Sequence, residues 1–132
     1  MVFLAAACTS YQPAGLSGGF SETRLSATSY QVQFRGNSYT SSARVEKFML
    51  RRAAELALEN GFRYFTLDAP QNLDRKDLIG FYSQRGVTVR FFDAESTETA
   101  DAVIVVAETD ELAGGKLSDK ARETLDGFKR AQ

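Results

Sequence analysis

Alternation of hydrophobic and polar side chains predicts three β-strands along this chain. The alternation occupies residues 30–35, 62–67 and 87–92, and its period of two is that of a strand with one buried face. A continuous hydrophobic run at residues 102–107 predicts a fourth strand that is covered on both faces. We expect this run to form the centre of the sheet.

A helical period appears in two places. Hydrophobic residues at 45–57 recur at steps of three and four positions and form one stripe, preceded by hydroxyl side chains at 40–42 that can cap a helix. Asn60 and Gly61 supply its stop, because glycine tolerates the left-handed conformation beyond a helix end. Ser118 can cap a last helix, which we expect to pack on the sheet beside the first. Its narrow hydrophobic edge consists of Ala121, Leu125 and Phe128.

The two long connections are polar. Residues 93–101 form an acidic connector, which predicts a solvated loop between two strands that pair as an antiparallel hairpin. Residues 70–85 contain a small hydrophobic cluster among polar side chains. This segment is either a short helical turn or a loop that lies over the core.

Together these elements predict one α+β domain over residues 30–132. We expect a small antiparallel or mixed sheet of about four strands, in the order β-α-β-β-β-α, with the helices packed on one face. Residues 8–29 are rich in serine, threonine and glycine and predict a flexible tether, with Phe20 the first residue to dock on the domain. Residues 1–7 are interpreted as the remnant of a signal peptide.

Composition excludes several kinds of chemistry. The chain of 132 residues has one cysteine and no histidine, which removes Ser-His and Cys-His catalytic pairs, histidine metal sites and an internal disulfide. Its net charge is −1 and its arginines are dispersed, so we expect no nucleic-acid partner. No motif indicates a catalytic residue, a cofactor or a resident metal.

The segment from residue 4 to residue 10, LAAACTS, resembles a bacterial lipobox. Small residues before Cys8 suit a signal peptidase that cuts before a cysteine, and Cys8 would then be acylated. Ala5 stands where lipoboxes usually carry leucine. Residues 1–7 have no basic residue, so the true start of the signal could lie upstream of Met1. Two or more acyl chains anchor a protein stably. In bacteria that sort lipoproteins by the residue after the cysteine, Thr9 rather than aspartate at that position implies the outer membrane.

Two longer blocks resemble a family of small proteobacterial lipoproteins. They are YQVQFRGNSYT at residues 30–40 and LRRAAELALENGFRYF at residues 50–65, preceded by GFSET at residues 19–23. The resemblance implies a lipid anchor and a place in the cell envelope, on the periplasmic face of the outer membrane rather than the inner membrane or the cytoplasm. It implies no activity, because the family has none established.

Two loops are candidate ligand sites. Gly36, Asn37 and Thr40 lie in a strand-to-helix loop whose backbone N–H groups could hold an anion, although helix capping explains the same residues. The acidic connector offers four carboxylates, which could gather Ca²⁺ but lack the spacing of an EF-hand, so a solvated loop is the default interpretation. The four carboxylates belong to Asp93, Glu95, Glu98 and Asp101.

Two adjacent arginines mark the predicted helix. Arg51 and Glu55 are one turn apart and could pair on its outer side, and Arg51 with Arg52 could form a charged patch for a partner. One of the two arginines must nevertheless point toward the buried side of the helix. An ion pair at the buried edge of the domain is therefore the favoured interpretation.

These patterns leave three functional hypotheses. The first is a non-enzymatic, membrane-tethered module that binds an envelope protein or peptidoglycan. The second is an envelope hydrolase that works without histidine, through serine or paired carboxylates. The third is a cytosolic α+β domain with a chance lipobox.

Overall fold

The computed structural model describes residues 19–35, 42–68 and 86–131. They form an α+β unit in which one antiparallel sheet packs against helices. The strands are β1 (Gly19–Ser26), β2 (Ser29–Arg35), β3 (Tyr64–Asp68), β4 (Val87–Phe92) and β5 (Ala100–Asp101). The helices of the described segments are α1 (Ser42–Glu59), α2 (Ala102–Thr109) and α3 (Asp119–Arg130).

The sheet has the strand order β1-β2-β4-β3-β5, and all neighbours are antiparallel. β1 and β2 form a hairpin, after which α1 carries the chain past β4 to β3. This arrangement confirms the predicted α+β class and the three strands read from alternation. The hydrophobic members of that alternation form one buried face, which α1 covers from β2 to β3.

The centre of the core lies between α1 and this face of the sheet. Phe34 of β2 meets Phe48 of α1 edge-on, with ring centroids 5.1 Å apart, a geometry that aromatic pairs favour. Phe65 lies opposite Phe91 in the register of β3 and β4. The fully buried core side chains of the strands and of α1 include Val32, Phe34, Val45, Phe48, Met49, Leu58, Phe65, Val87 and Val89.

The end of α1 confirms the predicted glycine stop. Gly61 has φ +86°, and the backbone N–H of Phe62 donates to the carbonyl of Ala57 at 2.8 Å while that of Gly61 donates to Leu58 at 3.0 Å. These two bonds define a Schellman motif. The motif directs the chain back onto the sheet, where the ring of Phe62 stacks on Phe91 at 5.5 Å.

The prediction of a central strand at residues 102–107 is wrong, because this run forms helix α2. Its buried positions are Ala102, Val105, Val106 and Thr109, the spacing of one helical face. Asp101 starts the helix, since its side chain accepts a hydrogen bond from the backbone N–H of Val103 at 2.9 Å. Because every residue of the run is hydrophobic, the sequence does not show the helical period.

Two further expectations are corrected by the same region. The acidic connector does not join a hairpin, because β5 pairs with β3 and not with β4. β5 has only two residues and lies at the edge of the sheet rather than at its centre. The chain therefore crosses from β4 over β3 before it enters α2.

The predicted tether over residues 8–29 is wrong from residue 19 onward. Gly19–Ser26 forms strand β1, which pairs with β2 from Gly19↔Arg35 to Ser26↔Ser29. Phe20 is buried and docks as expected. Serine and threonine on the exposed positions of an edge strand gave this segment the composition of a linker. Three other predicted segments lie outside the described residues. They are the first part of the tether at residues 8–18, the signal remnant at residues 1–7 and the connection at residues 70–85.

α3 begins as predicted, at an N-cap formed by Ser118, whose hydroxyl accepts from the backbone N–H of Ala121 at 3.2 Å. The helix packs mainly on α1 and α2, and not, as expected from the sequence, on the sheet beside α1. Ala121 and Leu125 are buried, and Phe128 is partly buried against the core. The hydrophobic edge predicted from sequence is thus the packing face of α3.

Replacing Asp101 tests how α2 is started. Asp101 caps α2 and also pairs with Arg63, whose guanidinium donates to both carboxylate oxygens at 3.0–3.1 Å. We expect Asp101→Ala to lower the free energy of unfolding by about 1–2 kcal/mol, most of it from the lost cap. Asp101→Asn keeps a capping oxygen and should cost less than half as much. Urea denaturation measures both, and equal losses for the two variants would contradict a capping role.

Candidate functional site

The residues predicted to carry lipid or anion lie outside the described part of the chain. Cys8 precedes it, and Gly36, Asn37 and Thr40 belong to the stretch between β2 and α1. Both assignments therefore stay predictions.

The acidic connector does not act as one cluster. Asp93, Glu95 and Glu98 are exposed, whereas Asp101 is engaged with Arg63 and with the start of α2. Within the described ranges, no group of three or more histidine, cysteine, aspartate or glutamate side chains could hold a metal ion. A turn closes the loop instead, in which the Thr99 hydroxyl accepts from the backbone N–H of Ser96 at 2.9 Å.

The densest polar cluster centres on Arg51, which is fully buried at 0 % exposure. Its Nε donates to Glu55 Oε2 at 2.8 Å. Its terminal nitrogens donate to the carbonyl of Val106 at 3.0 Å and to that of Lys116 at 2.6 Å, and one of them lies 3.4 Å from Asp110 Oδ1. Arg51 therefore joins α1 to the C-terminal end of α2 and to the turn beyond it.

This geometry decides between the two sequence interpretations of the arginine pair. An outer-side pair of Arg51 with Glu55 is wrong, and the buried-edge ion pair is confirmed. Burial of a charged pair is tolerated when hydrogen bonds satisfy the remaining donors. The carbonyls of Val106 and Lys116 provide that satisfaction, since they accept from the guanidinium.

Arg52 forms the second half of the cluster and reaches β1. Its Nε donates to Glu22 Oε2 at 3.2 Å, and a terminal nitrogen donates to the other oxygen of Glu22. Another terminal nitrogen donates to Glu55 Oε1 at 2.9 Å. The guanidinium also lies 4.8 Å from the ring centroid of Phe20, a cation–π distance.

Neighbouring carboxylates favour the charged forms of Arg52 and Arg63. Burial by itself lowers the pKa of Arg52, but the hydrogen bond and charge of Glu22, with Glu55 and Glu59, outweigh burial and raise that pKa above its ordinary value. Hydrogen bonds to Asp101 likewise raise the pKa of Arg63. An arginine whose pKa is raised by folding stabilises the fold at every pH below the pKa that it has in the unfolded chain. This stabilisation is lost only in strong alkali.

Two grooves border the charged residues. One, of about 350 Å³, lies beside β1 and is lined by Phe20, Ser21, Glu22 and Arg52. The other, of about 410 Å³, runs between α1 and the end of α2. Its lining residues are Arg44, Lys47, Glu108, Thr109, Glu111 and Leu112. This α1–α2 groove presents both signs of charge around a hydrophobic leucine.

The chemistry of these grooves suits binding. The carboxylate at the β1 groove, Glu22, has both oxygens engaged with Arg52, and the chain has no histidine to activate Ser21. Mixed charge beside hydrophobic surface is typical of a protein-binding rim. Sequence reasoning missed Glu22 because its partner is 30 residues away, and only the strand character of β1 would have indicated that the two meet.

No family model, no curated protein and no solved structure matches this chain. No helix among the described residues combines the length and the hydrophobicity needed to cross a membrane.

Proposed function

We propose that this protein is a membrane-anchored, non-enzymatic binding module of the bacterial cell envelope. The observation that carries the proposal is the lipobox-like segment at residues 4–10, with Cys8 the lipidated residue. Acyl chains on Cys8 hold the protein on the periplasmic face of the outer membrane, as the resemblance to small proteobacterial lipoproteins implies. The folded unit binds an envelope protein or peptidoglycan.

The α1–α2 groove supports the binding part of the proposal. Arg44 and Lys47 of α1 line this groove together with Glu108 of α2 and with Glu111 and Leu112 of the turn beyond α2. A polar segment of a partner finds both signs of charge there, and charge complementarity gives specificity more than raw affinity. The hydrolase hypothesis gains no comparable support, because Glu22, the one carboxylate that lines the β1 groove, is bonded to Arg52 through both oxygens.

Cys8→Ala tests the anchor. We expect the wild-type protein, expressed in a proteobacterial host from its native gene with the sequence upstream of Met1, to incorporate labelled fatty acid, to gain the mass of the acyl groups and to sediment with membranes. Cys8→Ala should lose label and mass gain and appear in the soluble fraction. The reason is that this exchange removes the thiol that receives the lipid and changes no described contact.

Thr9→Asp is the matched control, since it leaves Cys8 in place. In a host that sorts by the residue after the cysteine, this variant should stay lipidated and move from the outer to the inner membrane. If the protein expressed from its native gene, with the sequence upstream of Met1 included, is unmodified and begins at Met1, the anchor is refuted and a cytosolic domain with a chance lipobox is favoured.

A further inference from the structure

Strand β1 ends the sheet and offers an edge for pairing. β2 occupies one side of β1, and no strand of the described segments lies on the other side. A strand edge of this kind presents backbone N–H and C=O groups that can pair with another strand. Ser21 and Thr23 are exposed, so a second strand would meet no bulky side chain at these two positions.

The charges of β1 are complementary to themselves in one register. Glu22 and Arg24 lie on the same face of the strand, on either side of Thr23. In an antiparallel pair with Thr23 opposite Thr23, Glu22 of each copy lies opposite Arg24 of the other. Registers centred on Glu22 or on Arg24 instead place like charges opposite each other, which destabilises a sheet.

We propose that two copies of this chain pair through β1, antiparallel and about a twofold axis at Thr23. The sheet then continues from one copy into the other, and the contact is the same for both, as in most homodimers. This interface goes beyond the proposed envelope function and does not need the lipid anchor. One strand edge is a small contact, so association is weak and depends on concentration.

Both charged residues can take a second partner. Glu22 already accepts from Arg52, but a carboxylate has about four lone-pair sites. The Nε of exposed Arg24 donates to the carbonyl of Ser26 at 3.2 Å, and a guanidinium carries further donors on its terminal nitrogens. Arg24 also lies 5.9 Å from the ring centroid of Tyr30, its partner in the register of β1 and β2.

Cysteine cross-linking reads the register directly. In the full chain carrying Cys8→Ser, Thr23→Cys places two thiols opposite each other across the proposed axis. Ser21→Cys is the matched control, because Ser21 lies two residues from the axis and its two copies are far apart. We expect rapid disulfide dimers from Thr23→Cys and few from Ser21→Cys. Equal cross-linking of the two variants would overturn the proposed register.

Charge placement at the axis gives a second test, by sedimentation velocity. Both variants are made in the full chain that carries Cys8→Ser. Thr23→Lys and Thr23→Glu each place two like charges opposite each other across the proposed axis and should weaken self-association about fivefold. An equal mixture of the two variants should recover it, because opposite charges then meet. Glu98→Lys, at the far end of the sheet, should leave association unchanged. A chain that stays monomeric at high concentration would overturn the proposal.

Discussion

Replacing Arg51 with methionine is expected to lower the free energy of unfolding by about 3–5 kcal/mol, which is the usual cost of removing one member of a buried ion pair. Methionine approximates the volume of the arginine stem, so the loss comes from charge and hydrogen bonds rather than from a cavity. Glu55, only 6 % exposed, loses one of its two arginine partners. The carbonyls of Val106 and Lys116 lose the donor that the guanidinium provides.

Arg90→Met is the control for this prediction. Arg90 also forms an ion pair, with Asp68 at 2.6 Å, but both side chains are about half exposed. Exposed pairs contribute about 0–1 kcal/mol, so this variant should be nearly as stable as the wild type. Chemical denaturation of the two variants, followed by circular dichroism, measures the difference. Similar losses for Arg51→Met and Arg90→Met would contradict the role assigned to burial.

Phe48→Ala is expected to destabilise the protein by about 3–5 kcal/mol, the range for phenylalanine truncation in a packed core. Phe48 is fully buried between α1 and the sheet and loses its edge-on contact with Phe34. Ile104→Ala provides the comparison, because Ile104 of α2 is 54 % exposed. We expect that variant to change stability by about 0.5 kcal/mol or less.

Thermal and urea unfolding of the two alanine variants test this packing. A loss below about 1 kcal/mol for Phe48→Ala would show that α1 does not pack on the sheet through this residue. A large loss for Ile104→Ala would show that the outer side of α2 is covered in solution.

Local periodicity predicted the parts of the fold that follow one period clearly. β2, β4 and α1 were read from alternation and from steps of three and four residues, and the glycine stop at Gly61 follows from its backbone alone. In β2 and β4 one face is more buried than the other, so the sequence carries the period. In α1 the hydrophobic stripe shows the period, although residues 51–58 are buried almost all round. The cap of α3 at Ser118 was predicted for the same reason, since a single hydroxyl explains it.

The errors came where the burial pattern was uniform or set by distant residues. Residues 102–107 are hydrophobic at every position, so strand and helix are equally compatible with them, and the cap at Asp101 decided for the helix. β1 has polar exposed positions and resembled a linker, because its pairing with β2 cannot be read from composition. The sequence left open which of the two arginines is buried, because burial of Arg51 depends on acceptors 55 and 65 residues away.

The candidate site was predictable only in part. The sequence drew attention to Arg51, Arg52 and Glu55 as a group, and the structure brings all three together. It gave no sign of Glu22, which enters through the β1–β2 hairpin. The lipidation of Cys8 rests on the sequence and stays a prediction.

The position of Arg51 has a consequence for how the protein fluctuates. One side chain on α1 is bonded to the backbone at Val106 and at Lys116, so the region from α2 to the start of α3 cannot detach while α1 stays folded without breaking those bonds. Local opening of that region then requires a free energy close to that of global unfolding. Amide protons of α2 should therefore exchange with solvent at nearly the same slow rate as those in the middle of α1.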